Sequence, residues 1–399
     1  KDVREWAEAW LRTSGVDTLS TEIGADGRPV IHRRNGSPVE TQRPHALTVT
    51  AYDDRGKGTS TPLLITGDTT VVPFEGVGRD GLLLPDSADE TWAKIGLDDE
   101  SLRRVPALLP RIDDPLARAS IWGALREGLR DATIDPDLYL QTIEEALPHD
   151  SDLAVENILG GQFGGAISEV GRYFPTSEGR ERLAAVATRL VDEAPPGSNR
   201  QLIAVRSLIN LSTDPELLKG WISGDTTPDG VVADENFRWR LTSALCELDE
   251  FGLDEVAAEQ QRDPSSQGAL NALGCRAVLP HEDTKAGVWN SIINDRDLSN
   301  YELYALAEVF FRRDQTDLTA SYTARYFEEI PGTAKIRTGW IVERTTVLGF
   351  PRFAVTGAAL ELAEQCLADK ELDTGVRRSI SDATDDLRRV VASRARFGR

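Results

Sequence analysis

The sequence contains no methionine, and only three cysteines and four histidines occur among its 399 residues. Cys246, Cys275 and Cys366 form no CxxC pair, which argues against a metal or redox role for them. We expect small, buried thiols in a reducing compartment, and this expectation predicts a cytoplasmic protein.

The chain also lacks long apolar runs and basic clusters. No run approaches the roughly 18 apolar residues that cross a bilayer, so a transmembrane span is excluded. The charged opening, residues 1–6, has no apolar segment typical of a signal peptide. Because the chain begins without Met inside a predicted helix, we expect a fragment of a longer protein. Its net charge of −21 repels phosphates and anionic lipids, so neither nucleic acid nor membrane is a predicted partner.

Catalytic motifs are missing as well. No two of His32, His45, His149 and His281 lie at helical spacing, so there is no HExxH zinc motif. The segment His281-Glu282-Asp283 is better explained as a helix start than as a metal site. GxSxG, P-loop and GxGxxG motifs are absent too. We therefore predict neither a metal ligand nor a catalytic residue in this chain.

Two conspicuous features have structural interpretations. The glycine-rich residues 160–165 could cradle an anion, but they lack the preceding strand and the Lys-Ser/Thr pair that phosphate binding uses, so a loop or helix packing is favoured. Trp221, Trp239, Trp289 and Trp340 lie among aliphatic residues at helical spacing, which predicts core positions.

Residues 17–98 have the pattern of short strands. Leu47, Val49 and Ala51 alternate with polar neighbours, as in a half-buried strand. A hairpin is predicted around Asp26-Gly27. About seven such segments separated by turn residues predict a small β-sandwich.

From residue 99 onward the periodicity is helical. Four helices are predicted to begin with an Asp that caps free N–H groups and a Pro in the first turn. These pairs are Asp114-Pro115, Asp135-Pro136, Asp214-Pro215 and Asp263-Pro264. Their unequal spacing excludes a strict repeat and favours antiparallel helix pairs stacked in an irregular solenoid.

The predicted fold class is therefore mainly α with a small β domain: a β-sandwich followed by an irregular helical solenoid of the HEAT/armadillo-like type. The predicted ranges are 1–16 as the end of a preceding domain, 17–98 as the β-sandwich and 99–399 as the solenoid. By residue chemistry alone, this is an architecture for binding or support.

Several segments resemble the aminopeptidase N family. Residues 6–19 resemble the end of its catalytic domain, and Asp114–Ala119 with Trp122 resembles an early helix of its C-terminal domain. The longest match follows the helical domain of bacterial members and of the endoplasmic-reticulum aminopeptidases, in the same order. It comprises Arg238-Trp239, Glu259, Asp263, Gly268, Pro280, Lys285, Trp289, Leu298–Asn300, Tyr322 and Arg325–Phe327.

The resemblance implies the non-catalytic C-terminal half of a zinc metallopeptidase that removes N-terminal amino acids from peptides. The family's HExxH motif, downstream Glu and GAMEN loop precede the matched segment. Zinc is therefore implied for the full-length enzyme and not for this chain, which alone is predicted to be inactive. The implied partners are the upstream catalytic domain of the same polypeptide and peptide substrates, enclosed by a bowl-shaped cap.

Within that cap, a peptide carboxylate would favour an Arg or Lys. Arg238 and Arg325 are candidates from motif position, although a helix–helix salt bridge also explains either residue. The alternative function is a stand-alone helical-repeat scaffold that binds a protein partner. Exposure of Trp6, Trp10 and Leu11 on the first helix would favour the first hypothesis, because exposed aromatic patches mark a missing neighbour.

Overall fold

The computed structural model describes residues 3–24, 28–74, 81–160 and 165–398. The chain divides into two compact units, Lys1–Val155 (unit 1) and Glu156–Arg399 (unit 2). The predicted fold class, mainly α with a small β domain, is confirmed, because all the described strands lie between residues 17 and 96. The predicted domain ranges follow changes of secondary structure and stay predictions. Within the described ranges, none of the helices combines the length and the apolar character that membrane crossing requires.

Unit 1 contains the strands and the first helices. Its strands are β1 (Asp17–Ile23), β2 (Pro29–Arg34), β3 (His45–Tyr52), β4 (Gly58–Ile65), β5 (Thr69–Val71), β6 (Leu82–Leu84) and β7 (Ala93–Gly96). The helices that begin in it are α1 (Val3–Leu11), α2 (Asp99–Leu108), α3 (Pro115–Arg130), α4 (Pro136–Ala146) and α5 (Asp152–Leu159).

The strands form two sheets around one core. One sheet has the order β5-β2-β1-β7 and the other the order β4-β3-β6. β1 is antiparallel to β2 and parallel to β7. Because alternate side chains point to opposite faces of a strand, each sheet has one apolar face. Residues from both sheets make up the core: Leu19, Ile31, Leu47, Val49, Ile65, Val72 and Leu83. This arrangement agrees with the predicted sandwich, and the predicted turn at Asp26-Gly27 lies outside the described residues.

Unit 2 is helical throughout its described part. Its helices are α6 (Ala166–Tyr173), α7 (Glu178–Glu193), α8 (Asn199–Leu211), α9 (Pro215–Ser223), α10 (Glu235–Glu247), α11 (Leu253–Arg262), α12 (Ser266–Val278), α13 (Glu282–Asn294), α14 (Asn300–Phe310), α15 (Thr316–Glu329), α16 (Trp340–Leu348), α17 (Gly357–Ala368) and α18 (Thr374–Phe397). The glycine-rich segment with the alternative anion interpretation falls mostly on residues 161–164, outside the described residues.

The helices of unit 2 stack in two layers. α8, α10, α12, α14, α16 and α18 pack side by side in that order, and we call them the even row. The odd-numbered helices α7, α9, α11, α13 and α17 pack against members of this row, and α15 packs against α13 and α17. This alternation agrees with the predicted irregular solenoid. At its far end α18 contacts α6, which itself contacts α7 and α8, so the row returns to its beginning. The Nε of Arg394 donates to the Arg172 carbonyl oxygen at 2.8 Å across this contact.

Three of the four predicted Asp-Pro helix starts are confirmed. Asp114, Asp135 and Asp214 accept hydrogen bonds from N–H groups of the first turns of α3, α4 and α9. The fourth prediction is wrong, because α12 begins at Ser266 and its N-cap is Ser265. Asp263 instead follows the end of α11, where its carboxylate accepts from the Trp239 indole at 2.9 Å and from the Ser265 hydroxyl at 2.5 Å.

The predicted tryptophan core is correct at three of four positions. Trp221, Trp239 and Trp289 are 3%, 4% and 1% exposed. Trp340 is 74% exposed, so the prediction of a core position there is wrong. Trp340 is the first residue of α16, and Val342, Thr345 and Thr346 are the buried residues of that helix. The indole therefore lies on the opposite side from the packed face.

Candidate functional site

The even row carries a depression of about 400 Å³ lined by residues of α8, α10, α12 and α14. Much of its lining is polar, and we call it the polar depression, after Asn210, Asn236, Arg240, Asn271 and Glu308. These side chains come from four neighbouring helices because every second helix of the array presents a face to the same side.

Arg240 is one of three arginines in the lining of the polar depression, with Arg180 and Arg312. Burial and the neighbouring charge of Arg206 lower the pKa of Arg240, and Asp234 opposes them. Among the residues that the structure describes, neither Arg206 nor Arg240 has an ion-pair partner. The three carboxylates of the same lining, Glu247, Glu308 and Asp314, equal its arginines in number, so the polar depression carries charges of both signs.

Arg238, a predicted substrate-binding residue, is engaged within the helix array. Its Nε and Nη2 donate to the two carboxylate oxygens of Glu259 at 2.8 and 2.7 Å, and its Nη1 donates to the Ile222 carbonyl at 2.9 Å. The hydrogen bonds that Arg238 donates to Glu259 raise the pKa of Arg238 further above its ordinary value. This geometry matches the helix–helix salt bridge that the sequence left open, and substrate binding by Arg238 stays a prediction.

Arg325, the second predicted residue, lies within α15. Its Nε donates to Glu329 at 2.7 Å, and its guanidinium lies 4.9 Å from the Tyr322 ring centre and 5.6 Å from that of Trp289. Glu329 also accepts from the Trp289 indole at 2.8 Å. The side chain of Arg325 remains 43% exposed, so substrate binding there also stays a prediction. The structure does not bring the two arginines together, because one joins α10 to α11 and the other lies on α15.

A double-mutant cycle separates the two interpretations of Arg238. Because its bidentate pair with Glu259 is mostly buried, we expect a coupling free energy of about 1–3 kcal/mol between Arg238→Gln and Glu259→Gln in chemical unfolding. The exposed pair Arg103–Glu100, changed in the same way, should show coupling below about 0.5 kcal/mol. Coupling near zero at both pairs would contradict the structural role.

The described residues offer no zinc site. In the ranges that the structure covers, no group of three or more His, Cys, Asp or Glu side chains is placed to hold a metal ion. His281 is the N-cap of α13, as predicted, and its Nε2 lies 2.9 Å from an Asp249 carboxylate oxygen. Cys246 and Cys275 are buried, free thiols, and the hydrogen bond between them together with burial raises the pKa of Cys246. None of these groups fits a catalytic metal centre.

A buried ionic network in unit 1 joins residues of β1, β2 and β3. The Asp17 carboxylate accepts from Arg33 at 2.9 Å, from Arg43 at 2.8 Å and from the Gly36 N–H at 3.1 Å, and it lies 3.2 Å from His45 Nε2. Burial by itself raises the pKa of Asp17, but these hydrogen bonds and the charge of Arg43 lower it on balance. Burial lowers the pKa of His45. Asp17 therefore stays ionised as the shared acceptor.

The same network holds α1 against the strands. Arg43 donates through Nε to the Ala9 carbonyl at 3.0 Å and through Nη2 to the Thr13 hydroxyl at 2.5 Å. The ring of Trp10 lies edge-on to His45, with ring centres 5.1 Å apart. Trp6 and Leu11 are exposed on the same helix. Helix α1 is thus anchored to the sandwich through one face and leaves apolar side chains on another.

A second buried network lies between the helices of unit 2. Lys285 is fully buried, and its Nζ donates to the Ala277 carbonyl at 3.1 Å and lies 5.7 Å from the Phe310 ring centre. Burial lowers the pKa of Lys285 to about 8, and the charge of Arg312 contributes while that of Glu247 opposes. Arg312 donates to Glu247 at 2.5 Å. In the sequence Lys285 stands out only as part of the family pattern, because Glu282, Asp283 and Thr284 precede it and make the start of α13 polar.

Comparisons with known proteins agree with this architecture. Residues 82–389 match a family model described as the ERAP1-like C-terminal domain. The chain is 30% identical over 419 residues to "Aminopeptidase N" of Streptomyces lividans, in an alignment that covers 99% of this chain and 48% of that protein. A crystal structure of Legionella pneumophila aminopeptidase A in complex with aspartic acid has a similar fold, with a TM-score of 0.58 and 14% identity over 96% of this chain and 50% of that one. The chain therefore spans about half the length of these relatives.

Proposed function

Because the chain belongs to the ERAP1-like C-terminal domain family, we propose that it is the non-catalytic C-terminal portion of a zinc-dependent aminopeptidase, which removes N-terminal amino acids from peptides. The observation that carries this proposal is the alignment of almost the whole chain with half of an aminopeptidase N. It supports the family resemblance seen in the sequence. No specific observation favours the alternative of a stand-alone scaffold.

In this proposal, zinc and the activated water belong to the catalytic domain of the same polypeptide. The side chains described for this chain do not fit a zinc centre, and no chemical step is assigned to them. Their proposed contribution is to cap the active site and to enclose the peptide. The exposed Trp6 and Leu11 of α1 are proposed to pack against the upstream domain, since apolar side chains on an anchored helix favour a protein neighbour.

The polar depression is the proposed contact surface for the distal part of the peptide. Asn210, Asn236 and Asn271 can donate to and accept from peptide backbone groups without selecting particular side chains. Arg240 and Glu308 add one charged side chain of each sign to that lining. Such a lining suits substrates of varied sequence, which an enzyme acting at the amino terminus has to accommodate.

Activity and zinc content of two proteins test the proposal. The 399-residue chain alone should contain no stoichiometric zinc by mass spectrometry of the metal and should release no nitroaniline from an aminoacyl nitroanilide. The full-length gene product should contain zinc and turn over the same substrate, and a chelator should abolish that turnover. Zinc-dependent hydrolysis by the chain alone would contradict the division of roles. A full-length product without zinc or activity would contradict the proposal that the whole protein is a zinc-dependent aminopeptidase.

We also propose a cytoplasmic location for the protein. The three cysteines are free thiols, which supports a reducing compartment. Cell fractionation with an antibody against this chain tests the location, and recovery with extracellular or membrane fractions would contradict it.

A further inference from the structure

Two cysteines that are distant in the sequence meet inside unit 2. Cys246 lies on α10 and Cys275 on α12, and these helices pack against each other in the even row. Both residues belong to one buried core cluster, which also includes Trp239 and Ala272. The argument against a redox role rested on the absence of a CxxC pair, but the fold supplies a pair that the sequence spacing conceals.

The two thiols are in direct contact. The hydrogen bond between them, together with burial, raises the pKa of Cys246, so Cys246 keeps its proton and donates it towards the sulfur of Cys275. Ala272, one turn before Cys275 on α12, belongs to the same cluster, and its small side chain lets α10 and α12 approach closely. A disulfide requires such an approach, because its two Cβ atoms lie only about 3.8 Å apart.

The two thiols differ in their access to solvent. Cys275 is 2% exposed and is one of the residues that line the polar depression, whereas Cys246 is 0% exposed. A Cβ atom at Gly274, the preceding residue, would meet no neighbouring side chain or helix within 4 Å, so the surface of α12 next to Cys275 is open. Cys275 is therefore the thiol that a small solute in the depression meets first.

We propose that Cys246 and Cys275 are a redox-responsive thiol pair, which closes to a disulfide when a peroxide oxidises Cys275. The sulfur of Cys275 attacks the O–O bond of hydrogen peroxide, becomes a sulfenic acid and releases one water. The sulfur of Cys246 then displaces the sulfenic oxygen as a second water, and the S–S bond forms. In total, two thiols lose two hydrogens and two electrons, and one peroxide is reduced to two waters.

The contact between the thiols is what distinguishes this pair from ordinary buried cysteines. A single buried thiol is inert or, once oxidised, proceeds to irreversible acids, whereas an adjacent thiol captures the sulfenic acid as a disulfide. A dithiol reductant reverses the bond by exchange. The disulfide joins α10 to α12, two helices that line the polar depression. The inference concerns thiols of this chain alone and is independent of the proposed peptidase role.

Counting thiols after oxidation of the folded 399-residue chain tests the proposal. The chain is treated with hydrogen peroxide, freed of it, unfolded and alkylated with N-ethylmaleimide. Without peroxide all three cysteines should be alkylated, whereas after peroxide only Cys366 should be, and the mass before alkylation should fall by about 2 Da. Peptide mapping should find Cys246 linked to Cys275, and dithiothreitol should restore both. Cys366→Ser, at the half-buried cysteine of α17, is the matched control and should form the same link.

Two further variants test the order of the steps. In Cys246→Ala, the sulfenic acid of Cys275 has no partner and should be labelled by dimedone, whereas in Cys275→Ala the unexposed Cys246 should remain unlabelled. Equal alkylation of Cys246 and Cys275 with and without peroxide would overturn the proposal, as would links to Cys366 or oxidation to sulfinic acid without a link. If the variants do not fold, peptide mapping of the oxidised parent chain still decides.

Discussion

Replacing Asp17 with alanine is expected to lower the free energy of unfolding of unit 1 by about 3–5 kcal/mol, because the change leaves Arg33 and Arg43 buried without their shared counter-charge. The side chain of Asp17 is completely buried, and those of Arg33 and Arg43 are 1% and 3% exposed. Water cannot replace the lost acceptor at this depth. Since Arg43 also holds α1, the amides of α1 should lose protection together with those of β1 and β2.

Hydrogen exchange of the strand amides is the appropriate measurement, because a chain with two compact units does not unfold in one step. Asp68→Asn is the control: Asp68 also bonds Arg33, but its side chain is 75% exposed, so the loss should stay below about 1 kcal/mol. A loss below about 1 kcal/mol for Asp17→Ala would contradict the role assigned to the network.

The same network predicts that the stability of unit 1 falls at acidic pH. Because the pKa of Asp17 is lower in the folded protein than its ordinary value, its stabilising contribution is present above about pH 4 and is lost as the pH falls through the folded pKa. Asp17→Asn should remove this part of the acid sensitivity of unit 1.

Because of Lys285, the free energy of unfolding of unit 2 is expected to be higher at alkaline pH than at neutral pH. The pKa of Lys285 is about 8 in the folded protein, against an ordinary value of 10.5 for a lysine. Between these values the unfolded chain binds more protons than the folded one, so the free energy of unfolding rises with pH across that window. A difference of this size corresponds to about 3 kcal/mol for the group. Below pH 8 the folded protein carries the full cost of a buried ammonium.

Comparison with Lys285→Met isolates this contribution from other groups that titrate in alkali. The difference in unfolding free energy between parent and variant should change by about 3 kcal/mol between pH 7.5 and pH 10.5, in favour of the parent as the pH rises. Lys219→Met, at a lysine that pairs with Glu250 on the surface, should show no such change over the lower part of this window. Parallel pH profiles for the parent and the Lys285 variant would show that burial does not perturb this amine.

The sequence allowed local features to be predicted better than long-range pairs. Asp114, Asp135 and Asp214 cap their helices by accepting hydrogen bonds from N–H groups two or three residues ahead. The sequence pattern and the hydrogen bonds that it predicts therefore involve the same few neighbouring residues. At Asp263 the same dipeptide failed, because Ser265 provides a competing cap and the Trp239 indole, 24 residues earlier, occupies the carboxylate.

The ionic networks could not be predicted, because their members are distant in sequence. Asp17 meets partners 16, 26 and 28 residues away, and Arg180 meets Asp314 across 134 residues. Helical periodicity also identifies a packed face only where a neighbouring helix covers it, and no such cover lies over Trp340. The grouping of Arg240 with Asn210, Asn271 and Glu308 in the polar depression is likewise a property of the assembled array and not of any segment.

The contact between α18 and α6 has a consequence for how unit 2 can be built. Most solenoids can lose a terminal repeat and keep the rest, since each repeat touches only its neighbours. Here Arg394 donates a hydrogen bond to the backbone of Arg172, 222 residues earlier. The last helix of unit 2 is therefore held against its first. Nearly all of unit 2 must be synthesised before the contact between α18 and α6 can form, so we expect this contact to form late and slowly during synthesis. We also expect deletion of α18 to destabilise the rest of unit 2.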